Sequence, residues 1–302
     1  MRRDGNAAGA LLMSGSMAAF TLNDAVVRTL RHDLPLGEII FLRGLMVGAL
    51  LLLLPRLFGR FRLSALRRAG RLIAVRAAAE AGATVCFLLA LFHLPILDVT
   101  AVLQVLPLSV TLGAALVFGE PVGWRRIAAI GLGFVGVMLI LRPGTPSFGP
   151  WSWLALAAVA LVTVRDLVTR RLPPAVPSLG VAAVSALAVT AVGGLWVLAG
   201  GGWESPPGWA LGRLALAAVL IFFGYLFAVM VMRVGEVAVT AAFRYTALVW
   251  AALAGWLIWG ERPDAATLAG AALVVGSGLF ALWRARRRAA AAPAPPERRA
   301  RP

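Results

Sequence analysis

The chain has 302 residues, of which 61% are hydrophobic and only 14% charged, and its mean hydropathy is +0.87. A water-soluble fold of this length could not bury that much apolar side chain, so soluble globular and disordered classes are excluded. The net charge of +16 would suggest a nucleic-acid partner in a soluble protein, but the 29 basic residues, all arginine, lie mostly between apolar runs and in the C-terminal segment. They read as membrane topology signals, and no nucleic-acid partner is expected.

Ten apolar runs follow one another, near 7–29, 36–55, 72–93, 97–118, 126–142, 152–171, 178–199, 212–232, 237–259 and 265–283. Each is about long enough to cross a bilayer as a helix. The first follows Arg2 and Arg3 and runs on past Phe20 into Asn23 and Asp24 without a small-residue cleavage site, so it is expected to remain as an uncleaved helix. Connections are short and marked by Pro35 and Gly37, by Pro95, and by segments 143–150, 173–177 and 200–208. The loop 56–71 is basic, and segment 284–302, rich in Arg, Ala and Pro, is predicted to be a disordered basic cytoplasmic tail. With the N-terminus inside, twenty arginines lie on that side and five on the other, Arg28, Arg31, Arg142, Arg213 and Arg262. Both termini are therefore expected to be cytoplasmic.

The two halves correspond. Asp24-x-x-x-Arg28 recurs as Asp166-x-x-x-Arg170 after 142 residues, Val99-Thr100-Ala101 as Val239-Thr240-Ala241 after 140, and Gly119-Glu120 as Gly260-Glu261 after 141. Five crossings per half is an odd number, so the second half starts on the opposite side of the membrane. The expected fold is an all-α membrane protein with ten transmembrane helices in two inverted five-helix repeats, 7–142 and 152–283. Inverted repeats with a site between them are a usual construction of secondary transporters.

On these residues the chain resembles the drug/metabolite transporter superfamily, specifically proteins built from two EamA-type domains. The resemblance rests on Thr100-Ala101, Pro107, Gly119-Glu120-Pro121 and the Gly-rich run 127–141, and on Thr240-Ala241, Gly260-Glu261 and the small-residue run 268–282. It covers residues 7 to about 284. It implies a ten-helix carrier of the bacterial inner membrane, with lipid and a small-molecule substrate as its partners and a cavity between the repeats.

A charge at the centre of a membrane helix costs about 2.5 to 3.5 kcal/mol, so such residues face the bundle interior and find partners. Arg76 and Glu80 stand at i,i+4 on the third span. Asp24 is on the first, Arg43 on the second, Gln104 on the fourth, Asp166 on the sixth, Tyr225 on the eighth, and Arg244 and Tyr245 on the ninth. These nine are the candidate substrate-binding residues. Arg244 stands out, since it has no acidic neighbour at helical spacing. Glu80, Asp24 and Asp166 are the candidates to carry a coupling proton.

Structural alternatives accompany each. Arg76 and Glu80 can form a simple ion pair; Asp24 and Asp166 can pair with Arg28 and Arg170 one turn away; Arg28, Arg31, Arg170 and Arg171 can be interfacial anchors; Gln104 can bridge two helices; and the tyrosines can be packing. Glu120 and Glu261 read as turn-stabilising residues on opposite membrane faces. Gly131-x-Gly133-x-x-Gly136 matches a dinucleotide fingerprint, but no strand precedes it, so it reads as a helix-packing surface, as does Gly44-x-x-x-Gly48. The single cysteine, Cys86, and two histidines form no metal cluster, and neither metal nor cofactor is expected.

The function expected from these features is secondary transport of a small metabolite by alternating access: an amino acid, a flavin, a nucleoside-type compound or an organic acid. The competing reading is a non-transporting membrane assembly factor or a membrane-embedded enzyme. No zinc, nucleophile-elbow or phosphate-loop motif supports an enzyme.

Overall fold

Backbone polar groups in lipid must bond internally, which restricts an apolar crossing to a helix or a closed barrel. The computed structural model, which describes residues 2–52, 69–173, 176, 178–200, 203–234 and 240–291, contains helices and no strand among those residues. In chain order they are α1 Arg2–Thr29, α2 Leu36–Leu52, α3 Gly70–His93, α4 Ile96–Leu103, α5 Leu106–Phe118, α6 Trp124–Leu141, α7 Pro150–Arg170, α8 Ser178–Ala199 and α9 Gly208–Val234, then a 3₁₀ turn Ala241–Thr246, α10 Ala247–Trp259 and α11 Ala265–Ala291. Nine spans among the described residues are long and apolar enough to cross a bilayer. The tenth crossing is α2, whose 17 residues make about 25 Å of helix at 1.5 Å per residue. The basic loop lies outside the described residues except at 69–71. The last helix continues past residue 283 to Ala291, and the rest of the tail also lies outside them.

The fourth crossing is broken, and among the described residues the ninth departs from α-helical geometry at the corresponding place. In the fourth, Pro107 has no N–H to offer the carbonyl of Leu103, so the α-helical ladder lapses between α4 and α5. Gln104 N–H bonds to the carbonyls of both Thr100 and Ala101, at 3.2 and 3.1 Å, and Val105 N–H to Val102, in tighter 3₁₀ fashion. In the ninth, the tight turn Ala241–Thr246 leads into α10. With an offset of 140, Gln104 corresponds to Arg244.

The packing repeats as the sequence does. The most extensive contacts are α1 with α9, α3 with α7, α6 with α11, and α2 with α8. Exchanging the repeats maps α1 onto α7 and α3 onto α9, so the first two pairs are one interface occurring twice. The other two pairs join equivalent spans across a pseudo-two-fold axis. The chain is thus two five-helix repeats of opposite orientation. Close approach depends on small residues. A Cβ on Gly136 would lie 2.7 Å from the carbonyl oxygen of Gly270, and one on Gly270 would lie 2.6 Å from that of Gly136. Gly133 meets Leu108 and Ser277, and Gly44 meets Thr190, whereas Gly131 and Gly48 face nothing within 4 Å. The packing surface therefore uses two of the three fingerprint glycines.

Candidate functional site

With every second span reversed, the helix ends fall on two faces: the one carrying the N-terminus, called the near face here, and the far face. Between them polar side chains form a column. On α3, Arg76 Nη2 lies 3.8 Å from Glu80 Oε2 one turn later. On α7, Arg165 Nη1 donates to both carboxylate oxygens of Glu80, each at 3.2 Å, and Arg165 Nε donates to Asp166 Oδ1 at 2.9 Å. Arg76 also donates to Thr169 Oγ1 of α7 at 3.0 Å and to the Ser185 hydroxyl of α8. Three spans from both repeats are thereby joined through two guanidinium groups, whose several N–H donors suit them to multiple acceptors.

The column continues on α1, α2 and α9. Arg43 is buried, 9% exposed, and is attracted by Asp24 without a direct ion pair to it, with the Tyr225 hydroxyl in electrostatic reach. Asp24 accepts a hydrogen bond from Asn23 Nδ2 at 2.9 Å. The Tyr225 ring packs edge-on against Phe20, with centroids 5.2 Å apart, and its hydroxyl is in electrostatic reach of Glu80, Arg165, Arg43 and Arg76. It stands near both arms, itself 53% exposed. Asp24 sits roughly 7 Å inside the far end of α1 and Asp166 roughly 6 Å inside the near end of α7, as inverted repeats require.

Six of the nine candidates thus share one column: Asp24, Arg43, Arg76, Glu80, Asp166 and Tyr225. Gln104, Arg244 and Tyr245 belong to the broken spans instead. Gln104 is 8% exposed. Arg244 is exposed, and neither it nor Gln104 makes a side-chain hydrogen bond among the described residues. Arg244 stands in the 3₁₀ turn Ala241–Thr246 that precedes α10. Tyr245 is buried with its hydroxyl unbonded, close against Gly278 of α11.

Two expected pairings are corrected. Arg28 does not pair with Asp24; it reaches Glu261 on the far face, Nη2 to Oε1 at 2.7 Å. Arg170 pairs with Glu120 at 3.6 Å, while Asp166 pairs with its neighbour Arg165. One-turn spacing on a helix makes contact feasible, but a partner on an adjacent span competes and here wins. Arg28 is likewise not an exposed anchor but is buried, 4% exposed. Glu261 does more than hold its own turn, since its Oε2 accepts the N–H of Ile96 at 3.2 Å, satisfying a free donor at the start of α4.

Arg165, Thr169 and Ser185 were not among the sequence candidates. Arg165 carries a signal, an intramembrane cation directly beside Asp166. Thr169 and Ser185 carry none, because a lone hydroxyl in an apolar helix commonly bonds its own backbone.

The far face is closed by further contacts. Arg142 pairs with Asp264 and donates to Thr267 Oγ1 at 3.3 Å, and Thr267 in turn donates to Asp98 Oδ1 at 3.2 Å. Arg31 Nη1 donates to the Phe92 carbonyl at 3.0 Å. Buried Glu38 accepts the Glu204 N–H at 2.7 Å. Some of these contacts border a half-open pocket of about 340 Å³ lined by Asp98, Arg142, Glu261 and Thr267, which is separate from the column. Among the described residues no group of His, Cys, Asp and Glu could hold a metal ion.

Known proteins resemble this chain over most of its length. It is 28% identical to the pseudopaline exporter of Pseudomonas aeruginosa over 88% of this chain and 93% of that protein. It is 25% identical to an S-adenosylmethionine uptake transporter of Rickettsia prowazekii, over 63% of this chain and 64% of that one, and 29% identical to a riboflavin transporter of Rhizobium johnstonii, over 64% of each. A solved crystal structure shares the fold, with a TM-score of 0.62 at 20% identity, covering 95% of this chain and 99% of the other. Residues 7–142 and 149–283 each match the EamA-like transporter family. Two such segments span nearly all of the described helices, so this multi-pass membrane protein belongs to the EamA-like transporter family and is a transporter rather than an enzyme.

Proposed function

We propose that the chain moves a small zwitterionic metabolite across the bacterial inner membrane by alternating access, with both termini in the cytoplasm and the near face cytoplasmic. The observation that carries this reading is the column of three arginines and three carboxylates around Tyr225, shared between the repeats. A site of balanced charge can bind a cargo bearing both signs by trading internal ion pairs for cargo contacts. Arg43 and Asp24 interact without a direct ion pair, so a cargo carboxylate at the one and ammonium at the other would replace that weaker attraction. Pseudopaline, S-adenosylmethionine and riboflavin, the compounds in the relatives' names, differ in charge and size, so the cargo class here rests on the column. Tyr225 and Phe20 would hold an apolar or ring portion. Gln104 and Arg244, at equivalent places on the broken spans, would meet the cargo as the spans move. Asp24, touched directly only by neutral Asn23, is the carboxylate that would carry a coupling proton.

The test begins with thermal stability of purified protein against S-adenosylmethionine, riboflavin and a panel of amino acids, since a ligand of the native state raises the melting temperature. A stabilising compound then enters counterflow assays in proteoliposomes. Arg165→Gln is expected to abolish both stabilisation and flux. A compound that stabilises and is carried equally well by wild type and variant would overturn the assignment of the column.

A further inference from the structure

The pair Arg28–Glu261 on the far face has a counterpart on the near face. Arg28 corresponds to Arg170 with an offset of 142, and Glu261 to Glu120 with an offset of 141. The two ion pairs are therefore one contact occurring twice, inverted, once at each end of the bundle. Their states differ. Arg28 and Glu261 lie 2.7 Å apart with side chains 5% and 21% exposed, and the Arg28 guanidinium stacks 4.3 Å from the Trp259 ring. Arg170 and Glu120 lie 3.6 Å apart and are 50% and 53% exposed. Trp259 corresponds to Phe118, yet the guanidinium over Phe118 is that of Arg171, at 4.9 Å. The near-face arginine of the pair is therefore not the one on the aromatic ring.

We propose that these two pairs are the alternating latches of the transport cycle, the far latch engaged and the near latch slack in the state described, with the roles exchanged in the other state. Two repeats of like structure can swap conformations, and equivalent contacts then swap with them. Arg28 joins the first span of one repeat to the ninth of the other, and through Glu261 to the start of α4, so separating the far ends of those spans requires breaking it. A desolvated, stacked ion pair resists that separation, while an exposed one does so weakly. Forming the near latch offsets loss of the far one, which leaves the two states close enough in free energy to interconvert. The assignment rests on the transporter reading for its meaning but not for its test.

The test is hydrogen–deuterium exchange of the full chain in nanodiscs. Glu261→Gln is expected to raise exchange several-fold at the far ends of the spans, residues 96–103 above all, and to lower it around 113–118 and 166–170 on the near face. Glu120→Gln, at an exposed site, is expected to do the reverse. The charge exchange Arg28→Glu with Glu261→Arg should restore the wild-type pattern on the near face, though not at Ile96, whose N–H loses its carboxylate acceptor, and the near-face pattern decides the matter if Glu261→Gln alone proves unstable. Unchanged exchange in Glu120→Gln, or an increase at both faces with either single variant, would overturn the latches. If the exchange pattern shifts as expected but the wild-type chain carries nothing in proteoliposomes, the transport reading falls and the paired switch stands.

Discussion

A single guanidinium nitrogen of Arg165 lies 3.2 Å from both carboxylate oxygens of Glu80, joining the first span of the second repeat to the third span of the first. The contact lies at the interface of α3 and α7, where both charges are partly buried. If Arg165 is replaced by alanine, Glu80 keeps only Arg76, 3.8 Å away. Removing one partner of a buried pair costs about 3 to 5 kcal/mol. Arg165 and Glu80 remain 26% and 21% exposed, so the loss for Arg165→Ala should be about 2 kcal/mol. Thermal unfolding in detergent measures it. Adding Glu80→Gln to that variant should recover part of the loss, because the carboxylate left without Arg165 is then neutral, although Asp166 still lacks Arg165; a strictly additive double variant would contradict direct coupling.

Glycine packing gives a sharper contrast. Gly136 and Gly270 meet backbone to backbone, so neither can yield to a new methyl group. Gly136→Ala should destabilise the α6–α11 interface by about 1 to 3 kcal/mol. Gly131→Ala, with nothing within 4 Å of the added Cβ, should be neutral or slightly stabilising, since alanine suits a helix better than glycine. Melting temperatures of the two variants provide the comparison, and equal effects would contradict the interface.

The seal on the far face should depend on pH. Asp264 lies just before α11, outside the membrane spans, and its carboxylate accepts the Thr267 N–H at 2.9 Å. That backbone bond first, and the Arg142 guanidinium second, hold its pKa below the ordinary 3.8. A carboxyl with a depressed folded-state pKa contributes stability above its unfolded value, and that contribution is lost as pH falls through the folded value. Wild type should therefore exceed Asp264→Asn in stability at neutral pH, with the difference shrinking below pH about 4. Melting temperatures of both proteins between pH 7 and pH 3 check the sign; a difference that grows on acidification would contradict it.

Much of this was legible in the sequence, and the limits have physical causes. The ten crossings follow from apolar length alone, and the inverted repeat follows from the recurrence of Asp24-x-x-x-Arg28 and Gly119-Glu120. What the sequence could not supply is which charge meets which. Arg28 and Glu261 are separated by most of the chain, and their contact depends on how the first span packs against the ninth. Helical spacing favoured Asp24 for Arg28, but the spacing rule covers neighbours on one helix only. The recurring Gly-Glu motif did carry the information in another form, because a residue repeated at both ends of an inverted structure invites the same partner at both.

The broken spans show the same division. Pro107 announces the lapse between α4 and α5, whereas the matching 3₁₀ turn at Ala241–Thr246 contains neither proline nor glycine and leaves no local mark. If the break in the fourth span serves movement, restoring a continuous helix should cost transport while sparing the fold. Pro107→Ala returns an N–H to the Leu103 carbonyl, and since Pro107 stands in the first turn of α5, where proline is tolerated, its removal costs that helix little. The variant should melt no lower than wild type, and higher if the carbonyl is reached. Its counterflow rate in proteoliposomes should fall several-fold, since Gln104 would be locked into a straight helix. A rate equal to wild type at raised stability would show that the break is a packing feature with no part in the cycle.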